Sequence, residues 1–366
     1  MKAALFDTHG GPEVLRYDDV ADPSPGPGEV VVRVGAVTLN HGPDTMVRSG
    51  TFRLPIPLPH ISGSDPAGEV VAVGAGVDGS LIGQRVGVEP IIACGECDFC
   101  LSGAGENYCR AWMLLGVHRW GGRAEYVAVP ARNLVALPDN VRFDQAACLG
   151  MAYLTVYHGL VRKAQLRADD TLLVLGAGGG VGVAAIQIAK DAGARVIAVT
   201  GEAWKTERAR SIGADVAVTL SDADWPDQVR EATNGRGASV LFDNVGSATW
   251  PQSLPLLDRA GRFVCSGATT GFDLSLDAIS LYRNHITAYF HMCGPRVDLA
   301  DLVQLVGSGR IDPVIDSRFP LSDAAGAEGR LAARAQFGKI VLVPDSVLPE
   351  SQPSAHDAAA ATLTPR

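Results

Sequence analysis

Basic residues are in short supply: 31 Lys and Arg stand against 40 Asp and Glu, for a net charge of −9. That balance excludes a nucleic-acid footprint, which needs clustered positive charge. There is no uninterrupted apolar run of membrane length either. The longest apolar window, Thr171 to Ala189, is broken by five glycines and a Gln, so it reads as buried strand, turn and helix. The opening MKAALFDTHG lacks an apolar leader stretch and reads as a first strand. Cysteines are few and odd in number: seven, of which Cys148, Cys265 and Cys293 are scattered. No disulfide framework follows, and the expected setting is a reducing cytoplasm. No internal repeat is evident.

What is present begins with size. At 366 residues the chain is too long for one ordinary core, so two domains are expected. A hydrophobic share of 47% with 19% charged residues is that of a globular protein. The 42 glycines and 22 prolines point to many turns and to backbone that approaches ligands closely.

Four cysteines, Cys94, Cys97, Cys100 and Cys109, fall in ACGECDFCLSGAGENYC with the spacing C-x2-C-x2-C-x8-C. Three Cys at a three-residue step leave little room for unstrained disulfides. Four thiolates suit tetrahedral Zn2+, with no position open to water. The expectation is therefore one structural Zn2+, and the chemistry has to be sought elsewhere.

Two textures divide the chain. Val30 to Val37, Gly68 to Val73, Gln84 to Val88 and Ala124 to Val129 read as short strands punctuated by Gly, Pro and Asp, which predicts a barrel-like first domain. After about Gln145 strand and helix patterns alternate. Strands are expected at Thr171 to Leu175, Arg195 to Val199, Asp215 to Thr219, Ala238 to Phe242, Gly261 to Cys265 and Ile286 to Phe290, with helices at Val181 to Lys190 and Trp204 to Ile212. That alternation predicts a doubly wound parallel sheet. From about Gly294 the pattern turns mixed: a helix at Leu299 to Val306, a short strand near Val314 and a final FGKIVLV strand, read as a return to the first domain. The segment from Ser346 to Arg366 has no periodic apolar face and is expected to be disordered.

The strand Thr171 to Leu175 runs into Gly176-Ala177-Gly178-Gly179-Gly180-Val181-Gly182 and then a helix. Counted back from Gly182 the pattern is A-x-G-x-x-G, with Ala177 in the first glycine position. Such a turn lets N–H groups at Gly179, Gly180, Val181 and Gly182 reach a pyrophosphate at a helix N-terminus. The end of the next strand decides the cofactor, because an acidic residue there would hold the ribose 2′-OH of NAD. Thr200 occupies that slot, followed by Gly201 and, slightly later, Lys205, which leaves room and positive charge for a 2′-phosphate. Glu202 works against it. NADP(H) is the expected cofactor.

Taken together, HGGPEVLRYDDV, PGPGEVVVRV, LPHISGSDPAGEVVAVG, the cysteine loop, GGRAEYVAVPARNL, AGGGVGVAAIQIAK, FDNVG, CSGATTG and QFGKIVLV resemble the medium-chain dehydrogenase/reductase superfamily, in its zinc-binding dehydrogenase and quinone oxidoreductase branch. The resemblance runs from Met1 to about Pro344. It implies an α/β protein with a GroES-like β-barrel catalytic domain (residues 1–152, carrying the zinc loop 94–109), a Rossmann domain with its doubly wound parallel sheet (153–293), a return to the catalytic domain (294–345) and an active site in the cleft between the domains. One departure is the last cysteine gap, which holds eight residues where seven is more usual.

Alcohol dehydrogenases of this superfamily carry a second, catalytic zinc held by an early Cys, a His of a His-Glu pair after a glycine, and a Cys at the domain junction. Here Gly63 is followed by Ser64 and Asp65, and Met151 stands at the junction position. The early Cys position falls on Asn40 counted forward from its strand, or on His41 counted back from Gly50. A hydroxyl, an amide and a thioether make a poor Zn2+ site. The resemblance then implies reduction of a quinone or an α,β-unsaturated carbonyl, which is electrophilic without a metal. Two alternatives stand beside this: an alcohol dehydrogenase with an altered zinc site built from His41, His60 and Asp65, and a nucleotide-binding protein whose cleft no longer does chemistry. A specialised biosynthetic reduction is a further possibility, for which the insertion at Gly42-Pro43 is the hint.

Candidate donors near the nicotinamide are Asn40, His41 and Ser64, with Tyr153 and Thr155 as walls at the junction. Asp44 divides between a helix cap and a functional role, and His118 and Trp120 between the cleft and loop packing. The resemblance places Asn244, Val245, Ser266, Gly267, Phe337, Gly338 and Lys339 at the cofactor. It also implies a homodimer joined through the strand Ile286 to Phe290, acting on a small-molecule substrate without nucleic acid or membrane.

Overall fold

The strand Glu29–Thr38, EVVVRVGAVT, organises the first unit because seven of its ten residues are buried and it is paired on both sides. In the computed structural model, which describes residues 1–347, these residues divide into two units: Met1–Met151 with 315–347, and Ala152–Val314.

In the first unit a seven-stranded sheet runs in the order Ile315–Pro320, Lys339–Val343, Glu29–Thr38, Ala67–Val73, Arg85–Val88, Leu134–Ala136, with Tyr126–Pro130 also paired to Glu29–Thr38. Val30, Val32, Val34, Val37, Val70, Val86, Val127, Val129, Ile340 and Leu342 share its core. β-Branched residues dominate because they fit a pleated surface. Two register shifts bend Glu29–Thr38 against Ala67–Val73.

Register assembles the site. Val341 is opposite Thr38 and Leu342 opposite Val37, so continuing the antiparallel pairing brings Lys339 to Asn40. On the other flank Ala67 is opposite Ala36, and the same continuation brings Asp65 to Thr38. Three neighbouring strands therefore deliver Lys339, Thr38–Asn40 and Asp65 to one place.

The second unit is a six-stranded parallel sheet in the order Val216–Thr219, Arg195–Thr200, Thr171–Leu175, Ala238–Asp243, Leu257–Cys265, Thr287–Phe290. Its inner strands are buried almost throughout, as in a parallel sheet covered on both faces. Strand order reverses between Thr171–Leu175 and Ala238–Asp243, the switch point at which ligands of such sheets bind.

The return to the first unit comes at Ile315, not at Gly294 as expected. The helix Arg296–Gly307 belongs to the second unit. Its Asp298 accepts hydrogen bonds from His158 Nδ1 and Arg162 Nε, each at 2.7 Å. The reading also missed a helical run: Phe143–Cys148 and Leu154–Tyr157 are α-helical, with π-helical turns at Leu149–Tyr153 and His158–Lys163. Most of the segment expected to be disordered, 348–366, lies outside the described residues.

Candidate active site, cofactor turn and metal centre

Asp65 is fully buried and satisfied from three directions. Thr38 N donates to Oδ1 at 3.1 Å, Thr38 Oγ1 to Oδ2 at 2.6 Å, and Asn40 Nδ2 to Oδ2 at 3.0 Å. Lys339 Nζ lies 4.0 Å from Oδ2 and donates to Leu39 O at 2.8 Å and to Asn40 Oδ1 at 2.6 Å. Burial pushes the Asp65 pKa above the ordinary aspartate value; the Lys339 charge and the Thr38 and Asn40 bonds pull it back only in part. Gly150 packs against this carboxylate, since a Cβ there would stand 2.7 Å from Asp65 Cβ. Ser64, next in the chain, is also fully buried, and its Oγ has no protein partner among the described residues. Buried hydroxyls without a partner are rare in folded proteins, which makes Ser64 a candidate donor to a bound group.

The histidines do not join this cluster. His60 is buried on the Phe6 ring, with Nε2 3.0 Å from Gly116 O, and desolvation lowers its pKa. His60 is therefore a packed, hydrogen-bonded turn residue. His41 is exposed, and partial desolvation together with the Arg334 cation lowers its pKa. Among the described residues, the ligand atoms of His41, His60 and Asp65 do not form a group that could hold a metal.

The four cysteines do. The Sγ atoms of Cys94, Cys97, Cys100 and Cys109 lie within 4.8 Å of one another, with Cys97 to Cys100 at 3.5 Å and Cys94 to Cys100 at 3.9 Å. Sulfurs bound tetrahedrally at about 2.3 Å from Zn2+ are themselves about 3.8 Å apart, so the tetrad fits that ion. These residues would hold the metal as a closed cross-link, with no catalytic position.

In the second unit Gly176 turns at φ +70, and Ala177 N donates to Val199 O at 3.0 Å. The helix Gly180–Asp191 starts directly after Gly179. A Cβ on Gly182 would stand 2.3 Å from Gly176 O and 2.6 Å from Ala177 Cα, so only glycine lets the helix pack this close to the turn. The first N–H groups of the helix, from Gly180, Val181 and Gly182, face no helical acceptor and are suited to an anion. Across the switch point Val245 packs on the same turn, with its Cγ2 3.1 Å from a Cβ built on Gly176. Asn244 Nδ2 donates to Ser266 Oγ at 2.9 Å and Ser266 N to Asn244 Oδ1 at 2.8 Å, locking two strand ends together. Gly267 beside them is open.

Several sequence-derived assignments change. Thr200 is fully buried and its hydroxyl donates to Glu202 O at 3.0 Å, so it turns inward, and Gly201 is the open residue. Lys205 is buried, with Nζ over the Trp204 ring. Tyr153, read as a wall at the junction, turns its hydroxyl inward. It is fully buried, donates to Gln187 Oε1 at 2.6 Å and accepts from Val314 N at 3.1 Å. Thr155 is buried on the helix Leu154–Tyr157. Lys339 joins Asn40 and Asp65, while Gly338, at φ +103, leads the chain into that strand and Phe337 is core. His118 packs in its own loop, accepting from Leu114 N at 2.9 Å with its ring edge-on to Trp112. Trp120 is partly exposed, and its Nε1 donates to Pro59 O. A lysine opening an otherwise apolar buried strand was the available signal for Lys339.

Residues 26–139 match the alcohol dehydrogenase GroES-like domain family, and residues 180–308 the zinc-binding dehydrogenase family. The chain is 35% identical to a quinone oxidoreductase of Pseudomonas aeruginosa, over 94% of this chain and 99% of that protein. It is 33% identical to an NAD-dependent alcohol dehydrogenase of Sulfolobus acidocaldarius, over 93% and 99%. Among solved structures it is similar to an NAD-dependent alcohol dehydrogenase (39% identity, TM-score 0.89, 94% of this chain and 99% of that one). It is similar also to Escherichia coli quinone oxidoreductase complexed with NADPH (29% identity, TM-score 0.78, 94% and 100%).

Proposed function

Since the chain belongs to the zinc-binding dehydrogenase branch of the medium-chain dehydrogenase/reductase superfamily and is an NAD(P)-dependent oxidoreductase, we propose that it reduces a quinone or an α,β-unsaturated carbonyl with NADPH, without a catalytic zinc. One observation carries this reading. The Asp65 carboxylate is already matched by the Lys339 ammonium, Thr38 and Asn40, and the side chain beside it with no protein partner is a hydroxyl, Ser64. With its carboxylate already engaged, such a set favours donating hydrogen bonds over ligating Zn2+.

The chemistry follows from that donor set. A reduced nicotinamide, when bound, supplies hydride. Alcohol oxidation needs a Lewis acid to stabilise the alkoxide, whereas a conjugated carbonyl needs only donors at the oxygen where negative charge develops. Ser64 Oγ donates to that oxygen in this reading, and Asn40 and Lys339 hold the surrounding charge in place. In the second unit the helix N-terminus at Gly180–Gly182 takes the pyrophosphate. NADPH is favoured over NADH by the lack of a carboxylate at the end of Arg195–Thr200 and by Lys205 nearby. The E. coli relative complexed with NADPH is consistent with that choice.

The test is steady-state reduction of a panel of quinones, enones and aldehydes with NADPH and NADH, alongside zinc analysis of chelator-washed protein. The expected outcome is turnover of quinones or enones with NADPH preferred, and one zinc per chain. Two tightly held zincs, with alcohol oxidation, would instead favour the alcohol dehydrogenase reading. Failure with every acceptor would favour a nucleotide-binding protein without catalysis. Replacing Ser64 by Ala is expected to lower kcat about 10²-fold, the usual loss for one oxyanion donor, without destabilising the fold, since the hydroxyl has no partner to lose.

The homodimer is part of the same proposal. Thr287–Phe290 is an edge strand whose outer hydrogen-bonding groups are unpaired by the sheet, and Phe290, Ile279 and Tyr282 are exposed around it. A second copy pairing edge to edge about a two-fold axis would cover them. Light scattering is expected to give twice the chain mass, and Phe290→Asp to give the monomer.

A further inference from the structure

A second buried charge cluster stands in the first unit, and the chemistry above leaves it unused. Arg123 is fully buried, and Asp44, Glu328 and Arg48 are nearly so. Arg48 Nε donates to Glu328 Oε2, Arg123 Nη1 donates to Glu328 Oε1, and Arg123 Nη2 forms an ion pair with Asp44 Oδ2 at 3.2 Å. Two cations and two anions alternate, drawn from the helix Pro43–Ser49, the turn ahead of Tyr126–Pro130 and the helix Ala324–Ala332. Apolar residues packed in the same space would stabilise a fold as well or better. Satisfaction is also incomplete, because Arg123 Nε is buried without an acceptor among the described residues. Stability is therefore a weak account of this cluster.

Its output end points to another. Asp44 Oδ2 accepts from Asn40 N at 2.7 Å, and Oδ1 accepts from Gly63 N at 3.1 Å. One carboxylate thus holds the main chain of the residue bearing the Asn40 amide and the main chain of the glycine just before Ser64. Arg123 braces the same turn. Its N donates to Ser62 O at 3.1 Å, and its Cγ would lie 2.9 Å from a Cβ on Gly63, a residue at φ +102. Asp44 is not a helix cap in the usual sense, since the cap position is Gly42.

We infer that Arg48, Glu328, Arg123 and Asp44 form a positioning device that sets the spacing between the Asn40 amide and the Ser64 hydroxyl. The inference rests on the proposed reduction for its catalytic consequence, but its geometric content stands apart from it. Asp44 and Arg123 act through the main chain of the donors and touch no substrate. A displacement of the donors by about 1 Å is enough to slow a reaction about 10²-fold.

The experiment uses full-length Glu328→Gln and Asp44→Asn, assayed at a temperature where circular dichroism finds each variant folded. With a quinone or enone acceptor, kcat is expected to fall at least about tenfold while KM for NADPH changes less than about twofold. Hydrogen exchange at Asn40 and Gly63 is expected to quicken, while exchange around Gly182 stays as in the parent. A lower melting temperature with unchanged kcat per folded molecule would overturn the inference and leave a structural cluster only. If the parent protein turns over no acceptor, the proposed reduction fails, and hydrogen exchange alone decides this point: unaltered protection at Asn40 and Gly63 in Asp44→Asn would overturn it.

Discussion

Lys339→Met is expected to cost at least about 3 kcal/mol of folding stability and to lower turnover about 10²-fold. The substitution keeps the stem that packs at the start of the strand Lys339–Val343 but removes the cation beside a fully buried carboxylate. Breaking a buried pair strands the remaining charge, which costs far more than the intact pair contributes. Asn40 also loses the donor to its Oδ1, so its amide is free to rotate away from Asp65.

The pH dependence of this variant gives a second readout. The Asp65 pKa in the folded protein is already raised above 3.8 by burial, with Lys339 opposing the rise. Without Lys339 it rises further. Between the unfolded value and the raised folded value the folded state binds the extra proton, so stability falls as pH rises through that window. Urea denaturation of Lys339→Met at a series of pH values is expected to show stability greatest in mild acid and declining toward neutrality, over a wider range than in the parent. A variant with parental stability at every pH would refute the pairing.

The double substitution Cys97→Ser/Cys100→Ser should abolish zinc binding and remove several kcal/mol from the cohesion of the loop it cross-links. The segment between Cys94 and Cys109 buries little apolar surface; the Phe99 and Tyr108 rings stack at 6.0 Å without either being buried. Its one α-helix, Asp98–Leu101, has four residues and none of them is buried, and Leu101 is exposed; the 3-10 turn Glu106–Tyr108 has no buried residue either. Arg110 pairs with Asp98 at the surface, which contributes little. Zinc analysis should give none for the double variant, and limited proteolysis should cut within the loop while the parent resists. Chelation strong enough to strip the parent should reproduce the cleavage. Zinc retained by the double variant would show that the tetrad is not the metal centre.

Much of this could be read from sequence because it is local. The C-x2-C-x2-C-x8-C spacing confines four sulfurs to one loop whatever the rest of the chain does. The glycine turn at Gly176–Gly182 and the strand before it carry their own geometry, and alternating strand and helix patterns predict a parallel sheet. The strand Leu257–Cys265 shows where such reading fails. The strand begins four residues before the expected Gly261, because pairing with Ala238–Asp243 extends it through a register shift. The helical run from Phe143 to Lys163 was missed because π-helical turns break the 3.6-residue apolar period on which a helix is recognised.

Sequence alone determined the two-part architecture, the cysteine tetrad and the glycine turn, since each rests on residues close together in the chain. Tertiary structure alone decided that Lys339 meets Asn40 across 299 positions, that Arg123 meets Glu328 across 205, and that Thr200 and Tyr153 turn inward. Those pairings are set by strand register and helix packing, where a shift of one residue would send every side chain to the opposite face. No local pattern carries that information.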